Sequence, residues 1–379
     1  MRWFIFILIL VSCKNTGHKS NKLSKEDPAL RQNFNIEYAK SFKVQVVDHG
    51  YLVTLTNPWP EAEQTFKYLL YRDEKGLVKN YEVDESLKIP LEKVVVTSTT
   101  HIPSLDTLAV LEKLVGFPNT KYISTNKALN LIENGRIKDV GQNEMLNTEL
   151  LIELNPDAVI TFAVKGRNKS TESIKNSGIP ILYNSDWVES QPLGKAEWIK
   201  FFGLLFDKAD LSQQIFDGIK KEYENAKRIA VKAREEPSVI SGALWKDTWY
   251  LPAGESWQSA IIADANADYL YANTKGTGSL SLSFESVFEK AKNADFWIAP
   301  AQYTSYSNMY EQHSHYYNFE AFQNGKIFSF SSTLGKNGGV LYYELAPNRP
   351  DLVLKDLIRI FHPELLPDYK PFFFKPLSP

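Results

Sequence analysis

One long helix at mid-chain constrains this sequence more than any other feature. Over residues 211–233, apolar and charged residues alternate at helical spacing. A helix of that length spans roughly 30 Å, and a helix so long at mid-chain either packs in a bundle or braces two lobes. We place this bridging helix at residues 208–235, because strands alternate with helices on both sides of it.

Ahead of this helix, residues 90–207 alternate between short apolar strands and helices. Strands are predicted at residues 94–96, 157–161 and 179–183, and helices at 104–115, where a leucine recurs every three residues, and at 147–154 and 169–177. Strands that are apolar throughout are buried on both faces. The pattern therefore predicts a parallel sheet covered by helices.

After the long helix the alternation begins again, and residues 236–379 are predicted to form a second lobe. Its strands are placed at residues 238–244, 296–299 and 326–330, and a helix at 351–361 closes the chain. The predicted fold class is α/β, with two Rossmann-like lobes bridged by a single long rigid helix. Since one continuous helix bends only a little, we expect a largely pre-formed cleft that suits a bulky, rigid ligand.

An extra N-terminal β segment, residues 34–89, precedes the two lobes. Residues 42–47 and 51–56 alternate around the turn Asp48-His49-Gly50, and residues 65–71 are predicted as a third strand. The segment is therefore predicted to be all-β.

The first residues have the form of an export signal. Met1-Arg2 is followed by a nine-residue apolar run, which spans only about 14 Å as a helix. That is half of a bilayer core, so residues 1–12 are predicted to be a signal peptide and not a transmembrane anchor.

Cys13 follows this signal where a bacterial lipobox has its acylated cysteine. In Leu10-Val11-Ser12-Cys13, an aliphatic residue and two residues of modest size precede the cysteine. Two or more acyl chains anchor a protein stably, and residues 13–33 are predicted to be a flexible, lipid-anchored tether. This lipoprotein interpretation predicts a periplasmic or cell-envelope location. The alternative is an ordinary signal peptide with a coincidental cysteine.

Composition excludes several classes of protein. Of 379 residues, 43% are hydrophobic and 23% are charged, and the formal net charge is −2. These values argue against a disordered chain, a polytopic membrane protein and a nucleic-acid-binding surface. Cys13 is the single cysteine, so neither an intramolecular disulfide nor a thiolate metal cluster can form. The sequence has no Walker loop, no G-x-G-x-x-G and no G-x-S-x-G, and an enzyme is not expected.

Four segments between about residue 90 and residue 366 resemble the periplasmic binding proteins of iron-complex and cobalamin ABC importers. They are IKDVG (137–141) with NTELL (147–151) and LNPDAVI (154–160), PLGKAEWIK (192–200), SLSFESVF (281–288), and RPDLVL (349–354) with FHP (361–363). The segments occur in the family's order. The resemblance implies two lobes joined by a rigid helix, a ligand cleft between them, and an ABC permease as partner. It says nothing about residues 34–85.

Glu149 and Glu285 lie at matching points of the two lobes, each near the start of a short predicted helix. In the resembled family, glutamates at these positions meet arginines of the importer's membrane subunits, so the resemblance implies permease docking. The alternative is that each carboxylate only complements the positive end of its helix dipole, which is worth about half a kcal/mol.

Aromatic residues cluster after the predicted strand ends of the second lobe, where ligands of open α/β sheets bind. The candidate ligand residues there are Trp245, Trp249, Tyr250, Tyr303 and Tyr306, with Tyr310, Tyr316 and Tyr317 in the same group. Aromatic walls suit a corrin, a porphyrin or a catecholate. The alternative for each residue is packing in the core or in a surface loop.

In the first lobe, Arg167 and Trp187 follow predicted strands and are the corresponding candidates. The planar guanidinium of Arg167 could hold a carboxylate or an iron-bound oxygen, and a solvated loop arginine is the alternative. His101, His313 and His315 are not expected to bind a metal ion. Residues two apart share a face only on a strand, and the segment around His313 is predicted as loop or helix.

The sequence therefore predicts a lipid-anchored, substrate-binding component of an ABC importer, monomeric and without a cofactor or a nucleic-acid partner. A ferric siderophore is the leading ligand. Cobalamin, another corrinoid or haem are the alternatives. Cobalamin is disfavoured because cobalamin binders of the resembled family carry a tryptophan just before the helix that corresponds to residues 281–288. Residues 275–282 of this chain contain no tryptophan. A surface lipoprotein that scaffolds an outer-membrane receptor through the N-terminal strands is a different hypothesis, and an exported enzyme ranks last.

Overall fold

The computed structural model describes residues 34–60, 62–73, 81–164, 166 and 169–379. The predicted signal peptide, the predicted lipidation site Cys13, the tether and the candidate ligand residue Arg167 lie outside these residues. Within them, no helix combines the length and the apolar character that crossing a membrane requires.

The first lobe is built on a five-stranded parallel sheet. Its strands lie side by side in the order Lys138–Asp139, Leu114–Phe117, Val94–Val96, Ala158–Thr161, Ile181–Tyr183. In chain order this is 3-2-1-4-5, the doubly wound order of Rossmann folds. All residues of Val94–Val96 and of Ala158–Thr161 are buried, as a sheet covered on both faces requires.

Helices connect these strands. They are His101–Thr107, Asn126–Glu133, Thr148–Leu154 and Lys169–Asn176, with short 3₁₀ turns at Leu111–Lys113, Thr120–Tyr122 and Asp186–Val188 and a small hairpin of Gly141–Gln142 with Met145–Leu146. The sequence-based prediction of one helix over residues 104–115 is wrong. Ala109 has a left-handed backbone, with φ of 56°, which ends the helix, and Leu114 begins a strand. The repeated leucines are nevertheless all buried.

The second lobe repeats this plan with another strand order. Its sheet runs Asp268–Tyr269, Ser238–Ser241, Phe296–Ile298, Ile327–Ser329, Lys375–Pro376, and its last strand is antiparallel to its neighbour. This is the flavodoxin-like order 2-1-3-4-5. The helices of this lobe are Trp257–Asp264, Phe284–Ala291, Tyr306–Gln312, Glu320–Gln323, Leu341–Leu345 and Pro350–Phe361, with 3₁₀ turns at Ser314–Asn318 and Ala346–Asn348.

A three-stranded antiparallel sheet continues from the first strand of the second lobe. It consists of Ala243–Trp245, Thr248–Pro252 and Ser279–Leu282. Gly242, with φ of 76°, separates its first strand from Ser238–Ser241. A positive φ at this point lets the chain leave one sheet and enter the other. The sequence predicts one strand here instead of two, and misses the second and third strands of this sheet.

Ala209–Ala230 is one uninterrupted helix of 22 residues, here called the brace helix. It packs against the helix Ile199–Leu205, which follows Pro192–Glu197, and along Pro350–Phe361 of the second lobe. Near its end the hydroxyl of Tyr223 donates to Asp264 at 2.6 Å. The brace helix therefore contacts both halves of the molecule, and the predicted fold class is confirmed.

Four strands form the N-terminal sheet, in the order Phe42–Val47, Gly50–Thr56, Thr65–Tyr71, Glu85–Lys88. Its inner face packs on the outer strand of the first-lobe sheet. The backbone N–H of Tyr183 donates to the hydroxyl of Tyr68 at 2.9 Å, and the rings of Tyr183 and Phe66 lie 4.8 Å apart. The first three strands agree with the sequence-based prediction, and the fourth is an addition.

Two buried carboxylates hold the backbone that leads into this sheet. Glu197 accepts the backbone N–H groups of residues 37–39 at 2.6 to 3.1 Å, and Glu189 accepts those of residues 40 and 41 at 3.0 Å. The ammonium of Lys200 lies 2.7 Å from Glu197, and both side chains are buried. These contacts fix residues 37–41 on the helices that precede the brace helix.

Candidate functional site

In the first lobe, the strand order reverses between Val94–Val96 and Ala158–Thr161. Chains that leave two neighbouring parallel strands in opposite directions open a crevice at the carboxyl ends of those strands, where ligands of open α/β sheets bind. A cavity of about 380 Å³ lies there, here called the first cavity. It is lined by Thr97, Ser98 and Phe162, which follow the two strands.

In the second lobe, the corresponding reversal lies between Ser238–Ser241 and Phe296–Ile298. A second cavity, of about 430 Å³, opens there and is lined by Gly242 and Ala299 directly after the strands. Each cavity falls within the size range of small-molecule sites. The fold therefore presents one cavity at the switch point of each lobe.

Trp245 and Tyr250 form an aromatic wall of the second cavity and are 70% and 44% exposed. Side chains alternate between the two faces of a strand, so Trp249, next to Tyr250, points the other way. Trp249 is 0% exposed, stacks on Trp297 at 5.2 Å and donates its indole N–H to the carbonyl of Ser241. The prediction that Trp249 lines the cleft is wrong, because strand alternation places it in the core.

Tyr303 and Tyr306 do not line either cavity. The ring of Tyr303 packs against the buried ring of Tyr316, with centroids 5.9 Å apart. The hydroxyl of Tyr306 accepts the backbone N–H of Ile327, the first residue of its strand, at 3.2 Å. Tyr306 therefore lies at the amino end of the sheet, opposite the edge where ligands bind. Both residues support the packing of the second lobe, contrary to the sequence-based expectation.

Tyr343 lines both cavities and was not identified by sequence reasoning. Its side chain is half-exposed, its hydroxyl accepts a hydrogen bond from Gln302 at 3.2 Å, and its ring lies 5.5 Å from that of Phe330. Burial raises the pKa of the Tyr343 hydroxyl, so this group is a neutral donor and acceptor near pH 7. In the sequence, the feature that could have pointed to Tyr343 is its position in the stretch that follows the strand Ile327–Ser329.

Trp187 lies in the 3₁₀ turn Asp186–Val188, directly beyond the outer strand of the first-lobe sheet, and its side chain is partly exposed. Its carbonyl accepts a hydrogen bond from Lys195 at 3.0 Å. A ligand contact for Trp187 stays a prediction. Tyr122 and Asn119, which sequence reasoning did not single out, line the first cavity.

Glu149 and Glu285 occupy equivalent positions on two surface helices. Each is the second residue of its helix, and the side chains of Asn147 and Ser283 cap the respective N-termini. Both glutamates are exposed, and none of the ion pairs among the described residues involves either of them. The two carboxylates are thus available to an external partner.

The three histidines considered from the sequence do not form a cluster. His101 is buried against Phe202, both of its ring nitrogens lack a hydrogen-bond partner, and burial lowers its pKa to about 4. His313 and His315 contact aromatic rings, at Tyr316 and Phe284 respectively. Among the described residues, no three His, Cys, Asp or Glu side chains are grouped as metal ligands.

A family model for periplasmic binding proteins matches residues 94–334, which include most of both lobes. The chain belongs to this family. The family membership predicted from the four sequence segments is confirmed. Among relatives of this periplasmic binding protein, an uncharacterized lipoprotein of Methanocaldococcus jannaschii is 26% identical over 387 aligned residues, covering 94% of this chain and 89% of the relative.

Solved structures share the fold of this periplasmic binding protein at low sequence identity. A possible iron-binding protein of Staphylococcus epidermidis has a TM-score of 0.56 at 18% identity, covering 72% of this chain and 99% of that one. A periplasmic heme-binding protein of Vibrio cholerae has a TM-score of 0.55 at 17% identity, covering 69% and 99%. A vitamin B12-binding protein of the same organism has a TM-score of 0.51 at 12% identity, covering 72% and 96%.

The N-terminal sheet lies outside the family model, which begins at residue 94. The alignment with the archaeal lipoprotein covers 94% of this chain, which is too much to leave that sheet out. This periplasmic binding protein therefore carries an N-terminal addition to the family core. The alignment with its lipoprotein relative extends into this addition.

Proposed function

We propose that this periplasmic binding protein is the lipid-anchored, substrate-binding component of an ABC importer, and that it carries a ferric siderophore between its lobes. The observation that carries the proposal is the pair of cavities at the two switch points, one lined by hydroxyl groups and the other by exposed aromatic rings. Proteins of similar fold include, by their names, heme-binding, vitamin B12-binding and iron-binding proteins.

The chemistry of the cavities suits a bulky metal chelate. Trp245, Tyr250 and Tyr343 offer flat apolar faces, while Thr99 and Tyr122 offer hydroxyl groups. A chelate presents apolar faces together with carbonyl and hydroxamate or catecholate oxygens, which such a lining can cover and hydrogen-bond. Because the chelate and the braced cleft are both rigid, little conformational entropy is lost on binding.

The ligand is tested by fluorescence titration of the full-length protein in detergent, with protein-free detergent as blank. Ferrichrome, a ferric catecholate, haemin and cyanocobalamin are the four probes. We expect one ferric siderophore to quench the fluorescence saturably with a dissociation constant of about 1 µM or lower. Saturation by haemin or cyanocobalamin alone would favour the haem or corrinoid alternative.

Trp245 provides the control for this titration. In a Trp245→Phe variant the aromatic wall is kept and the most exposed indole of the cavity is removed. The dissociation constant should stay within about threefold, while the quenching amplitude falls. No response of the wild type to any of the four probes would contradict the proposed ligand class. It would turn attention to the scaffold alternative, in which the N-terminal sheet is the interface.

Glu149 and Glu285 are proposed to dock on the permease, one from each lobe. Both are exposed at the second position of a helix, where arginines of a membrane subunit could reach them. The variant Glu149→Gln with Glu285→Gln should abolish uptake into cells while the dissociation constant of the ligand is unchanged. Loss of ligand affinity would instead assign these glutamates to the ligand site.

The chain offers a matched control for this variant. Glu153 and Glu289 are exposed glutamates further along the same two helices. Like the docking variant, Glu153→Gln with Glu289→Gln removes one negative charge from each of these two helices. It should leave uptake close to that of the wild type, since the proposed contacts lie at the helix N-termini. Equal loss of uptake in both double variants would point to general electrostatic attraction and not to docking at the proposed positions.

The lipid anchor is proposed at Cys13. A Cys13→Ala variant should be recovered in the soluble envelope fraction, whereas the wild type should remain with the membrane and carry the mass of acyl chains on its N-terminal peptide. A membrane-bound Cys13→Ala protein would contradict the lipoprotein interpretation.

A further inference from the structure

A segment of the second lobe crosses to the first lobe and binds it at three points. This segment, residues 333–348, is here called the crossing strap. At its tip, the side chain of Asn337 donates to the carbonyls of Lys121 and Ile123. At its far end, the side chain of Asn348 donates to the carbonyl of Thr100 at 2.8 Å. The crossing strap therefore joins the lobes independently of the brace helix.

The third contact is made by Glu344, which caps a helix of the other lobe. The helix Asn126–Glu133 has no side-chain cap of its own at Thr125. The carboxylate of Glu344 instead accepts the backbone N–H of Ser124 at 2.6 Å and that of Thr125 at 2.9 Å, together with the Thr125 hydroxyl. A carboxylate at a helix N-terminus satisfies free N–H groups and meets the positive end of the helix dipole.

The crossing strap fits closely against the first lobe. Glu344 is 1% exposed and Ser124 is 4% exposed. A Cβ at Gly335 would lie 2.8 Å from the Cβ of Ser124, and a Cβ at Gly339 would lie 2.5 Å from its hydroxyl oxygen. Contacts this short leave no room for side chains, so the two glycines let the strap lie directly on Ser124. The strap is therefore fixed in position as well as hydrogen-bonded.

Tyr343 precedes Glu344 on the short helix Leu341–Leu345 and is the side chain shared by the two cavities. Its ring is held from the second-lobe side by Gln302 and Phe330. The helix that carries it is held from the first-lobe side by Glu344. The ring thus lines both cavities, and contacts from both lobes hold it and the helix that carries it.

We propose that Tyr343 is a specificity-determining residue that divides the interlobe cleft, and that Glu344 is the positioning residue that holds it there from the opposite lobe. The inference rests on the proposed function, since it concerns which ligands enter the same cleft. With the ring in place, a ligand must fit one cavity or lie against both sides of the ring. With the ring removed, the cavities merge and admit a bulkier ligand.

The positioning of Tyr343 can be tested without a ligand. The full-length protein would be labelled with 3-fluorotyrosine at its 19 tyrosines, and the fluorine resonance of Tyr343 assigned by its absence from a Tyr343→Phe variant. In Glu344→Gln we expect this resonance to shift and broaden while most others stay unchanged. Amide hydrogen exchange at Ser124 and Thr125 should accelerate at least about tenfold. An unmoved Tyr343 resonance would overturn the positioning role, whatever happens to those amides.

A second variant covers the case in which Glu344→Gln does not fold. Asn337→Ala removes the contact at the tip of the crossing strap and leaves Glu344 intact. It should shift the Tyr343 resonance in the same direction by a smaller amount. No shift in this variant would show that the strap does not control the ring.

Specificity is tested with two probes of different size: cyanocobalamin, and whichever of ferrichrome and the ferric catecholate saturates the wild type. In Tyr343→Ala the ratio of their dissociation constants should change at least about tenfold in favour of cyanocobalamin, whereas Tyr343→Phe keeps the ring and should change the ratio less than about threefold. An unchanged ratio in Tyr343→Ala would refute the dividing role. If neither the wild type nor Tyr343→Ala binds ferrichrome, the ferric catecholate or cyanocobalamin, the proposed ligand class fails, and the fluorine spectra still decide whether Glu344 positions Tyr343.

Discussion

Replacing Glu197 with alanine is expected to destabilise the fold by about 3 to 5 kcal/mol. The carboxylate is 0% exposed, accepts backbone N–H groups of residues 37–39, and lies 2.7 Å from the buried ammonium of Lys200. Its removal leaves a buried charge without a counter-charge and three backbone donors without an acceptor. The ammonium of Lys200 and the N–H of Ala39 are buried, where the cost of an unpaired polar atom is largest.

The assay is thermal unfolding followed by circular dichroism. With an unfolding entropy of about 2 cal/mol/K per residue, this destabilisation lowers the midpoint of a chain of this size by about 4 to 7 °C. The double variant Glu197→Ala with Lys200→Met should recover part of the loss, because no charge is then left unpaired. Glu37→Ala, which removes an exposed partner of Lys220, should cost less than about 1 kcal/mol. A midpoint for Glu197→Ala within 1 °C of the wild type would refute the reasoning.

Gly203→Ala should lower the free energy of unfolding in urea by about 1 to 3 kcal/mol, because a Cβ there would lie 2.5 Å from the Cβ of Ser212 on the brace helix. Gly218→Ala should instead raise it by up to about 1 kcal/mol, because nothing lies within 4 Å of the new Cβ. Trp249→Ala should cost about 3 to 5 kcal/mol as a core truncation, and a cost under about 1 kcal/mol would contradict its burial. Burial lowers the pKa of His101 in the folded state to about 4. The unfolded state therefore binds this proton first, so stability should be full above pH 6.5 and fall by about 3 kcal/mol as the pH drops towards 4. His101→Gln should remove that slope, and equal slopes would assign the pH dependence to other groups.

The sequence was sufficient for the parts of the fold that depend on local pattern. Residues 94–96 and 158–160 are apolar throughout because both faces are covered, and the brace helix keeps one amphipathic period over 22 residues. The leucine repeat over 104–115 was misleading because buried leucines serve a helix, a turn and a strand in turn. The strand Ser279–Leu282 was missed because its alternating serines and leucines are short and half polar, a pattern that occurs equally in loops.

The candidate site was predictable only in part, because sequence position gives the edge of a sheet more reliably than the direction of a side chain. The place of Trp245 and Tyr250 after a strand predicts that they lie in the cleft, and both line the second cavity. Trp249 carries the same local signal, but it lies on the other face of its strand and is buried in the core. The role of Glu344 has no local signal at all, since its partner Ser124 lies 220 residues away in the chain.

The two lobes are joined by two separate elements, and this affects how fast a ligand dissociates. The brace helix restrains one side of the molecule, and the crossing strap restrains the cleft through Glu344, Asn337 and Asn348. A wide opening of the lobes would break buried hydrogen bonds to a carboxylate, each worth about 1.5 to 3 kcal/mol. Release should therefore be slow in the isolated protein, and under the docking proposed above at Glu149 and Glu285 it should become fast when the permease pulls the two lobes apart. In that arrangement, weakening the crossing strap by Glu344→Gln should raise the dissociation rate more than the association rate, because differences in affinity within one site are expressed mainly in dissociation.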